Sequence, residues 1–423
     1  MADGEVRLRA RVFSSRPTGD RALDLLDTQA ITTEARLRAP AYPAKEWSIT
    51  DDVLNLSDSA SVAIANDDGE HSGKFDIGQR IEIEESDPAV ANGRWVRHFT
   101  GRITAIESSS DVDSGSNILL TAMDLGWHLT SCHAKPLTNI KGIRFQRLLD
   151  LLIDPTWGFG QTNTERGNDL NRTLKHGRQV IVINHKPQLG AILPFIQVEP
   201  GQTPFEILKT YAAREGVLVN VSARGELVLF RPRYDTDPLY ALQYHGSRDD
   251  QRRRNNIVGR PSVRKSIDGV YSEVECWSTV VIPPEVANTE NPNEMFRHST
   301  VTASPNPLPF FRRQVVSDGE AINEKLRTNR ATWNLQMGLF NSTQYEAEFP
   351  AHSQGGAFFT SDTMIAMNDT IHGWTGAHYV QRVQRSLTLA GGQRTRLLLR
   401  KPGLLNPQLT RLDLGGGARK AAR

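Results

Sequence analysis

The segments MIAMND at residues 364–369 and GAHYVQRVQ at residues 376–384 decide the fold, because they read as a strand, a turn and a second strand led by glycine. A similar pair lies near the start of the chain, GQRIEIE at residues 78–84 and GRITAIE at residues 101–107. Apolar residues recur at every second position in each copy, which is the period of a β-strand. The sequence therefore predicts that a small β-domain occurs twice in one polypeptide.

Composition places the chain among ordinary globular proteins. Its 423 residues are 38% hydrophobic and 23% charged, which predicts two to four domains. Fifty basic and 48 acidic side chains give a net charge of +2. A protein that coats nucleic acid carries a strongly basic face or tail, so this balance favours proteins as partners.

Two cysteines, Cys132 and Cys276, are too few and too far apart for a disulfide framework or for zinc-type ligand spacing. We therefore expect assembly in a reducing compartment. The first residues mix both charge signs without an apolar core, and no stretch approaches 18 apolar residues. We expect neither a signal peptide nor a membrane anchor.

The patterns divide the chain into four parts. Period-two runs without intervening helices predict a small barrel or sandwich over residues 1–135, which we interpret as a barrel-like β-domain. Residues 136–232 read as a smaller α+β module, with a helix around residues 143–153, a Thr203-x-x-Glu206 capping box that starts a second helix, and a hairpin at residues 217–230. Pro204 suits the first position of that helix and Gly216 its end. The fold class is thus mainly β with α+β.

A second barrel-like β-domain is predicted over residues 233–403, with its best strand at residues 269–277. A second capping box predicts a long helix from Ser317 to about Met337. The Pro- and Asn-rich run from Ile282 to Pro309 reads as a loop or insertion. Residues 404–423 lack any period and read as a flexible tail.

Motifs for phosphate binding, acyl transfer and zinc proteolysis are missing from the sequence, which favours a non-enzymatic protein without cofactor, metal or catalytic residues. Asp369, His372 and His378 could act as metal ligands, but the same segment reads as a polar turn between two strands, and we prefer the turn.

Three other polar clusters have ordinary explanations. His128, Cys132 and His133 lack the repeated spacing of a metal site. The acidic residues near the Asp-Asp-Gly turn lack calcium-loop spacing and suit a hairpin. Arg248 and Arg252–Arg254 form a basic cluster that Asp249 and Asp250 partly neutralise, so we favour a solvated loop or a salt-bridge patch between subunits and leave guidance of DNA open. The acidic residues in question are Asp67, Asp68, Glu70 and Asp76.

The order of short motifs resembles the baseplate hub family of contractile-tailed bacteriophages, the Mu-like tail protein P group related to late control protein D. The resemblance spans roughly residues 5–402. Its turn at residues 391–395, GGQRT, departs slightly from the Gly-Thr that the family commonly carries. The motifs that carry the resemblance are FDIGQRI at residues 75–81, FTGRI at 99–103, PGQTPFEIL at 200–208, the long helix, and the closing strand pair at 379–399.

This resemblance implies a ring-shaped homotrimer whose two barrel-like domains per chain imitate a hexamer. Three chains would then adapt the sixfold tail tube to the threefold central spike, and the tape-measure protein and DNA would pass through a central channel. Tube, spike and other baseplate proteins are the implied partners. The implied location is the virion tail baseplate, assembled in the cytoplasm of the host bacterium.

Three alternatives stay open. A hub-like component of a type VI secretion or related injection apparatus would have a similar fold. A tail-associated cell-wall hydrolase would need paired carboxylates, for which Glu84, Glu85, Glu346 and Glu348 are the available candidates. A carbohydrate-binding β-protein would expose aromatic residues on one face, whereas the tryptophans are scattered and favour cores or interfaces. The tryptophans concerned are Trp95, Trp277 and Trp374.

Overall fold

The structure of the protein is a computed structural model. It describes residues 7–13, 39–111, 115–134, 137–145, 183–185, 192–246, 255–278, 298–319, 324–388 and 390–403, with the single positions 148, 149, 152, 321 and 405. The described part is mainly β, as the sequence predicts, and contains few helices.

The first six strands close into a barrel, called here the first strand set. Their order in the sheet is β1-β4-β5-β6-β3-β2, and β1 also pairs with β2, so the sheet has no free end. The core holds the apolar residues of period two, such as Ile81, Ile83 and Leu120, which are almost fully buried. The strands are β1 (Arg7–Phe13), β2 (Ala41–Asp52), β3 (Ser59–Ala65), β4 (Arg80–Ser86), β5 (Val96–Asp111) and β6 (Gly115–Asp124).

Six later strands form the second strand set, and their order matches that of the first. Numbered along the chain within the set, the order is again 1-4-5-6-3-2, read as β12-β20-β21-β22-β17-β13. The sequence echo therefore falls on equivalent strands, β4 with β5 and β20 with β21. The strands are β12 (Tyr240–Tyr244), β13 (Val258–Lys265), β17 (Thr343–Phe349), β20 (Thr363–Asp369), β21 (Trp374–Thr388) and β22 (Gly392–Arg400).

The second strand set closes differently. Strand β12 runs parallel to β20, whereas β1 is antiparallel to β4. No β12–β13 ladder is present among the described residues. Instead, the Asn256 side chain accepts from the Gln243 backbone N–H and donates to the Ala241 carbonyl, each at 2.8 Å. Asn255 accepts similarly from the His245 N–H at 2.7 Å.

A smaller α+β region packs against both sets and confirms most of its predicted elements. Helix α2 begins with the Thr203–Glu206 capping box, has Pro204 in its first turn and ends at Gly216 in the left-handed conformation. The predicted hairpin is present as an antiparallel strand pair. Leu208 and Tyr211 lie in the core of this region. The elements are α1 (Trp127–Ser131), β7 (Leu137–Arg144), β8 (Ile183–His185), β9 (Ile192–Val198), α2 (Pro204–Glu215), β10 (Leu218–Val221) and β11 (Leu227–Phe230).

The helix predicted around residues 143–153 is wrong at its start, because residues up to Arg144 form strand β7, which pairs with β9. Phe145, Leu148 and Leu149 are fully buried in the same core. Their apolar spacing reports burial, which a strand followed by a helical turn satisfies as well as one helix does.

The long helix predicted from Ser317 begins later. Ser317 ends strand β16, which pairs in parallel with β14, and the helix α3 spans Glu324–Ser342. The capping-box prediction at Ser317 is therefore wrong, since tertiary strand pairing outweighs a local four-residue pattern. The remaining elements are β14 (Glu273–Trp277), β15 (His298–Thr302), β16 (Arg313–Ser317), β18 (Ser353–Gln354) and β19 (Ala357–Phe358).

Two predicted irregular segments fall largely outside the described residues. Of the run from Ile282 to Pro309, only residues 298–309 are described, and they include strand β15. The tail prediction for residues 404–423 concerns positions of which only Leu405 is described. The domain boundaries after residues 135, 232 and 403 stay predictions.

Candidate functional site at the junction of the two strand sets

The two strand sets are joined by one antiparallel ladder. Strand β2 of the first set pairs with β21 of the second, from Trp47 opposite Leu387 to Asp52 opposite Arg382. The backbone bond from the Val53 N–H to the next carbonyl of β21 extends this ladder. All twelve strands therefore belong to a single hydrogen-bonded sheet.

A buried ionic network lies beside this ladder. Glu85, at the end of β4, accepts a hydrogen bond from His352 Nδ1 at 2.7 Å and lies 3.2 Å from His98 Nε2. The Arg385 guanidinium of β21 donates to His98 Nδ1 at 2.8 Å. All four side chains are buried, so this network connects strands of both sets through desolvated polar contacts.

Proton positions in the network follow from the partners. His352 places Nδ1 against the Glu85 carboxylate and Nε2 against the Ser386 carbonyl, 2.8 Å away, so the doubly protonated ring satisfies both contacts. Burial disfavours ionised Glu85, but hydrogen bonds from the two histidines outweigh it and lower the pKa of Glu85 to about 2. Burial, and then the Arg385 charge, lowers the pKa of His98 to about 4. The ion pair at this junction is therefore Glu85 with His352.

Further polar contacts cross the same junction. Ser361 donates to the Asp51 carboxylate at 2.7 Å. Gln381 donates to Asp52 at 3.0 Å and accepts from Arg400 at 2.6 Å. These side chains from β2 and the second set satisfy one another, which fixes the relative register of the two sets.

A cleft of about 360 Å³ opens next to the network, between β2, β5, the β10–β11 hairpin and residues 358–363. Asp51, Asp58 and Asp124 lie in its wall. Burial raises the pKa of Asp124 to about 8, against opposing hydrogen bonds from backbone N–H groups. Burial therefore favours the neutral form of Asp124 near neutral pH, and it also raises the pKa of Asp51 and of Asp58.

The candidate ligands Asp369, His372 and His378 separate into a turn and a ring stack. The Asp369 carboxylate accepts from the Tyr345 hydroxyl at 2.6 Å, from two backbone N–H groups and from His372 Nδ1 at 2.7 Å. His378 instead stacks on Trp374 with a centroid separation of 4.6 Å. Asp369 and His372 thus hold the turn between β20 and β21, as the preferred interpretation has it.

The other polar clusters are dispersed in the structure. His133 Nδ1 contacts the Gly201 carbonyl at 2.9 Å, whereas His128 is on α1, and the Cys132 backbone N–H donates to its carbonyl. Glu70 lies 4.0 Å from Lys74. Asp67 is in a short 3-10 turn, and the Asp76 N–H bonds to Gln79. Within the described ranges, no three His, Cys, Asp or Glu side chains come together as a metal site.

The candidate carboxylates form separate ion pairs. Glu84 contacts Arg9 at 2.8 Å and Arg11 at 2.9 Å, while Glu346 contacts Arg382 at 2.9 Å. Glu348 contacts Arg394 at 3.2 Å. Together with the pairing of Glu85, these contacts place each carboxylate against a cation.

The tryptophans are also dispersed. Trp95 carries the Arg9 guanidinium 3.9 Å above its ring, Trp277 stacks on His298, and Trp374 is buried. The basic cluster Arg248 and Arg252–Arg254 lies outside the described residues. Among the described helices, none is both long and apolar enough to cross a membrane.

The sequence analysis did not identify His98, His352 and Arg385, which form the buried polar network at the junction with Glu85. Their positions are 254 and 33 residues apart along the chain, and no local spacing relates them. Only the β2–β21 pairing brings them together, so a local motif search has no signal for them.

Comparison with known proteins gives structural matches alone. No family model and no curated protein matches the chain. The tail protein from Neisseria meningitidis MC58 is similar with a TM-score of 0.66 and 18% identity, over 94% of this chain and 97% of that one. The 43 kDa tail protein of prophage MuSo2 from Shewanella oneidensis gives 0.63 and 16%, over 94% and 99%.

A third similar structure is the prophage tail protein gp18 from Listeria monocytogenes EGD-e, with a TM-score of 0.51 and 10% identity over 94% of this chain and 95% of that one. At such identities the similarity establishes the fold. The resemblance to phage tail proteins drawn from the sequence is confirmed at that level.

Proposed function

We propose that this chain, which has the fold of phage tail proteins, is a structural baseplate hub of a contractile tail and not an enzyme. The carrying observation is the strand order 1-4-5-6-3-2, found twice in one sheet. Two alike modules per chain let three chains present six alike positions while keeping true threefold symmetry. Such a trimer adapts a sixfold tail tube to a threefold central spike.

The junction supports this proposal because a backbone ladder and buried polar contacts join the two strand sets. The Glu85–His352 pair and the β2–β21 ladder fix one strand set against the other. A component of a ring must keep the angle between its two strand sets constant in every copy, because small errors in that angle accumulate around a closed ring. The pairing of Glu84, Glu346 and Glu348 with arginines further supports a structural role for these carboxylates.

The proposed partners are the tail tube protein, the central spike protein and other baseplate proteins, with the tape-measure protein and DNA passing through the central channel. The proposed location is the virion, after assembly in the host cytoplasm.

Measurement of the mass of the purified protein in solution, followed by imaging down the symmetry axis, tests the proposal. We expect a trimer with a central hole and six lobes of similar size. A stable monomer at high micromolar concentration, or a trimer without a central hole, contradicts it.

A further inference from the structure

We propose that the outer edge of β13 pairs with the outer edge of the second half of β5 in another copy of this chain, in the register that joins β2 to β21 within one chain. This inference rests on the proposed trimer and adds to it the two edges, their direction and their register. Each strand of one set has an equivalent in the other.

Strands β5 and β21 are equivalent in the two strand sets. Each shifts its register against the following strand at one place, between Ile103 and Ala105 in β5 and between Val380 and Arg382 in β21. The Ile103 carbonyl accepts a hydrogen bond from the Gly78 N–H, just before β4. The Val380 carbonyl likewise accepts one from the Asp362 N–H, just before β20. Two equally placed β-bulges therefore align Ala105 with Arg382.

Strands β5 and β21 differ beyond the bulge. In β21, residues 382–387 leave β20 and pair with β2 on the same side. In β5, residues 105–110 leave β4, and the described part of the chain provides no strand on that side. Glu107 and the serines that follow it, up to Ser110, are exposed. The extension in β21 is thus covered by β2, whereas the extension in β5 has no strand against it among the described residues.

Strands β2 and β13 are also equivalent. Rows of directly opposite residues cross each strand set from β5 to β2 and from β21 to β13. Because the two rows start at the aligned positions after the bulges, Ser262 corresponds to Ser48. The rows are Ala105, Thr121, Ser61 and Ser48 in the first set, and Arg382, Leu398, Glu346 and Ser262 in the second.

Backbone direction agrees with this alignment. The Ser266 N–H bonds to the carbonyl at the end of α3, on the β17 side, so Val263 and Lys265 turn their N–H and C=O groups outward. The residues of β2 that correspond to Val263 and Lys265 lie an even number of positions before Val53. The Val53 N–H donates to β21, so these residues also turn their N–H and C=O groups toward β21. Pro261 has no N–H and would also face outward, so the new ladder begins at Ser262.

The transferred register is chemically complementary. Thr50 lies opposite Gln384 within the chain, and the equivalent pair between copies is Arg264 with Glu107. Arg264 and its neighbour Lys265 are exposed on β13, and Glu107 is exposed on β5. Two cationic side chains on β13 that meet the Glu107 carboxylate of another copy commit the surface to a second copy of this chain, and the pairing covers two strand edges.

Disulfide trapping in the full-length chain tests the register. Cys132 is exposed and is first replaced by serine, whereas Cys276 is buried and stays. Ser109→Cys with Ser262→Cys places two thiols at a directly opposite, non-hydrogen-bonded pair, within disulfide reach. Under mild oxidation we expect covalent dimers and trimers and no larger species, because three such contacts close the ring.

Two matched pairs serve as controls. Ser48→Cys with Ser386→Cys tests the same register inside one chain and should give a cross-linked monomer. Ser110→Cys with Ser262→Cys differs by one residue, and its side chain points to the other strand face, so it should cross-link at least about tenfold less. Equal cross-linking of the Ser109 and Ser110 variants overturns the register.

The outcomes separate this inference from the proposed function. A native trimer that fails to cross-link through residues 109 and 262 overturns the edge pairing and leaves the hub proposal standing. A monomer at all concentrations overturns both. Charge reversal gives independent evidence: Glu107→Arg or Arg264→Glu alone should weaken trimer formation about tenfold or more, and the combined swap should restore it. No restoration contradicts the Arg264–Glu107 contact.

Discussion

The two strand sets share an order of strands but differ in how they close. The first closes by a backbone ladder between β1 and β2, and the second by the asparagines that precede β13. The second set also inserts β14, β15, β16 and α3 between β13 and β17, where the first has a short turn between β2 and β3. The common order thus tolerates changes at the β1/β12 edge, while the β5–β6 and β21–β22 hairpins keep even their bulge.

Removal of the Glu85–His352 contact between the two strand sets should cause the largest loss in the free energy of unfolding. His352→Ala leaves the buried Glu85 carboxylate without its ion-pair partner, and loss of one partner of a buried pair costs about 3–5 kcal/mol. Urea unfolding followed by tryptophan fluorescence measures this loss, and Trp47, whose ring centroid lies 4.8 Å from that of His352, contributes to the signal.

Two outcomes qualify that comparison. If the strand sets unfold separately in the variant, two transitions replace one, which shows that the pair couples them. A loss below about 1 kcal/mol, the size typical of exposed pairs, would contradict a buried ionic link.

Two buried carboxyls at strand ends should respond to pH in opposite directions. Burial raises the pKa of Asp124 in the first set to about 8, so the folded state keeps a proton that the unfolded state loses above its ordinary pKa of 3.8. The contribution of Asp124 to the free energy of unfolding is fully present below pH 3.8 and declines as the pH rises toward 8. As the pH rises from 5 to 7, the free energy of unfolding of Asp124→Asn should therefore increase by about 2–3 kcal/mol relative to that of the parent protein.

Asp369 in the second set is the matched control. Burial opposes its ionisation, but hydrogen bonds from Tyr345 and His372 outweigh this and lower the pKa of Asp369. Its contribution is present above pH 3.8 and lost as pH falls below that value, so Asp369→Asn should cost more at pH 6 than at pH 3. Urea midpoints across this range measure both, and parallel slopes for the two variants would contradict the assignment.

The asparagine closure of the second set should be weaker than the ladder of the first. Asn256→Ala removes an acceptor from the Gln243 N–H and a donor from the Ala241 carbonyl, at a cost of about 1–2 kcal/mol. Amide hydrogen exchange should accelerate at Gln243 while the β1–β2 amides stay protected. Asn256→Asp, which keeps the acceptor, is the control. Faster exchange in both sets would contradict local closure.

Local signals predicted local structure well. The Thr203–Glu206 capping box and the β10–β11 hairpin are set by neighbouring residues, and the structure confirms both. The echo at residues 78–84 and 364–369 identified equivalent strands, because period two and turn position survive when residues change. At Ser317 the same kind of local pattern failed, since pairing with β14 holds that residue in a strand.

The junction could not be predicted. Its residues are joined only after both strand sets have formed, as with Glu85 and His352, which are separated by 267 positions. Alternation predicts which face of a strand is buried but not which buried polar groups will meet. Three-dimensional pairing is therefore the information that the sequence pattern lacks.

Replacement of a residue in an exposed ion pair should have the smallest effect on the free energy of unfolding. Comparison with a buried ion pair shows how much of that effect depends on burial. Glu346 and Arg382 in the second set keep 31% and 33% of their side-chain surfaces exposed, whereas Glu84 in the first set keeps 8% beside Arg9 and Arg11. Water screens the first pair and scarcely reaches Glu84, so Glu346→Gln should cost less than about 1 kcal/mol and Glu84→Gln clearly more. Unfolding in low and high salt decides the cause, because salt should reduce the small Glu346 effect and leave the Glu84 effect nearly unchanged. Equal losses for the two variants would mean that charge pairing, rather than its desolvation, governs stability in both strand sets.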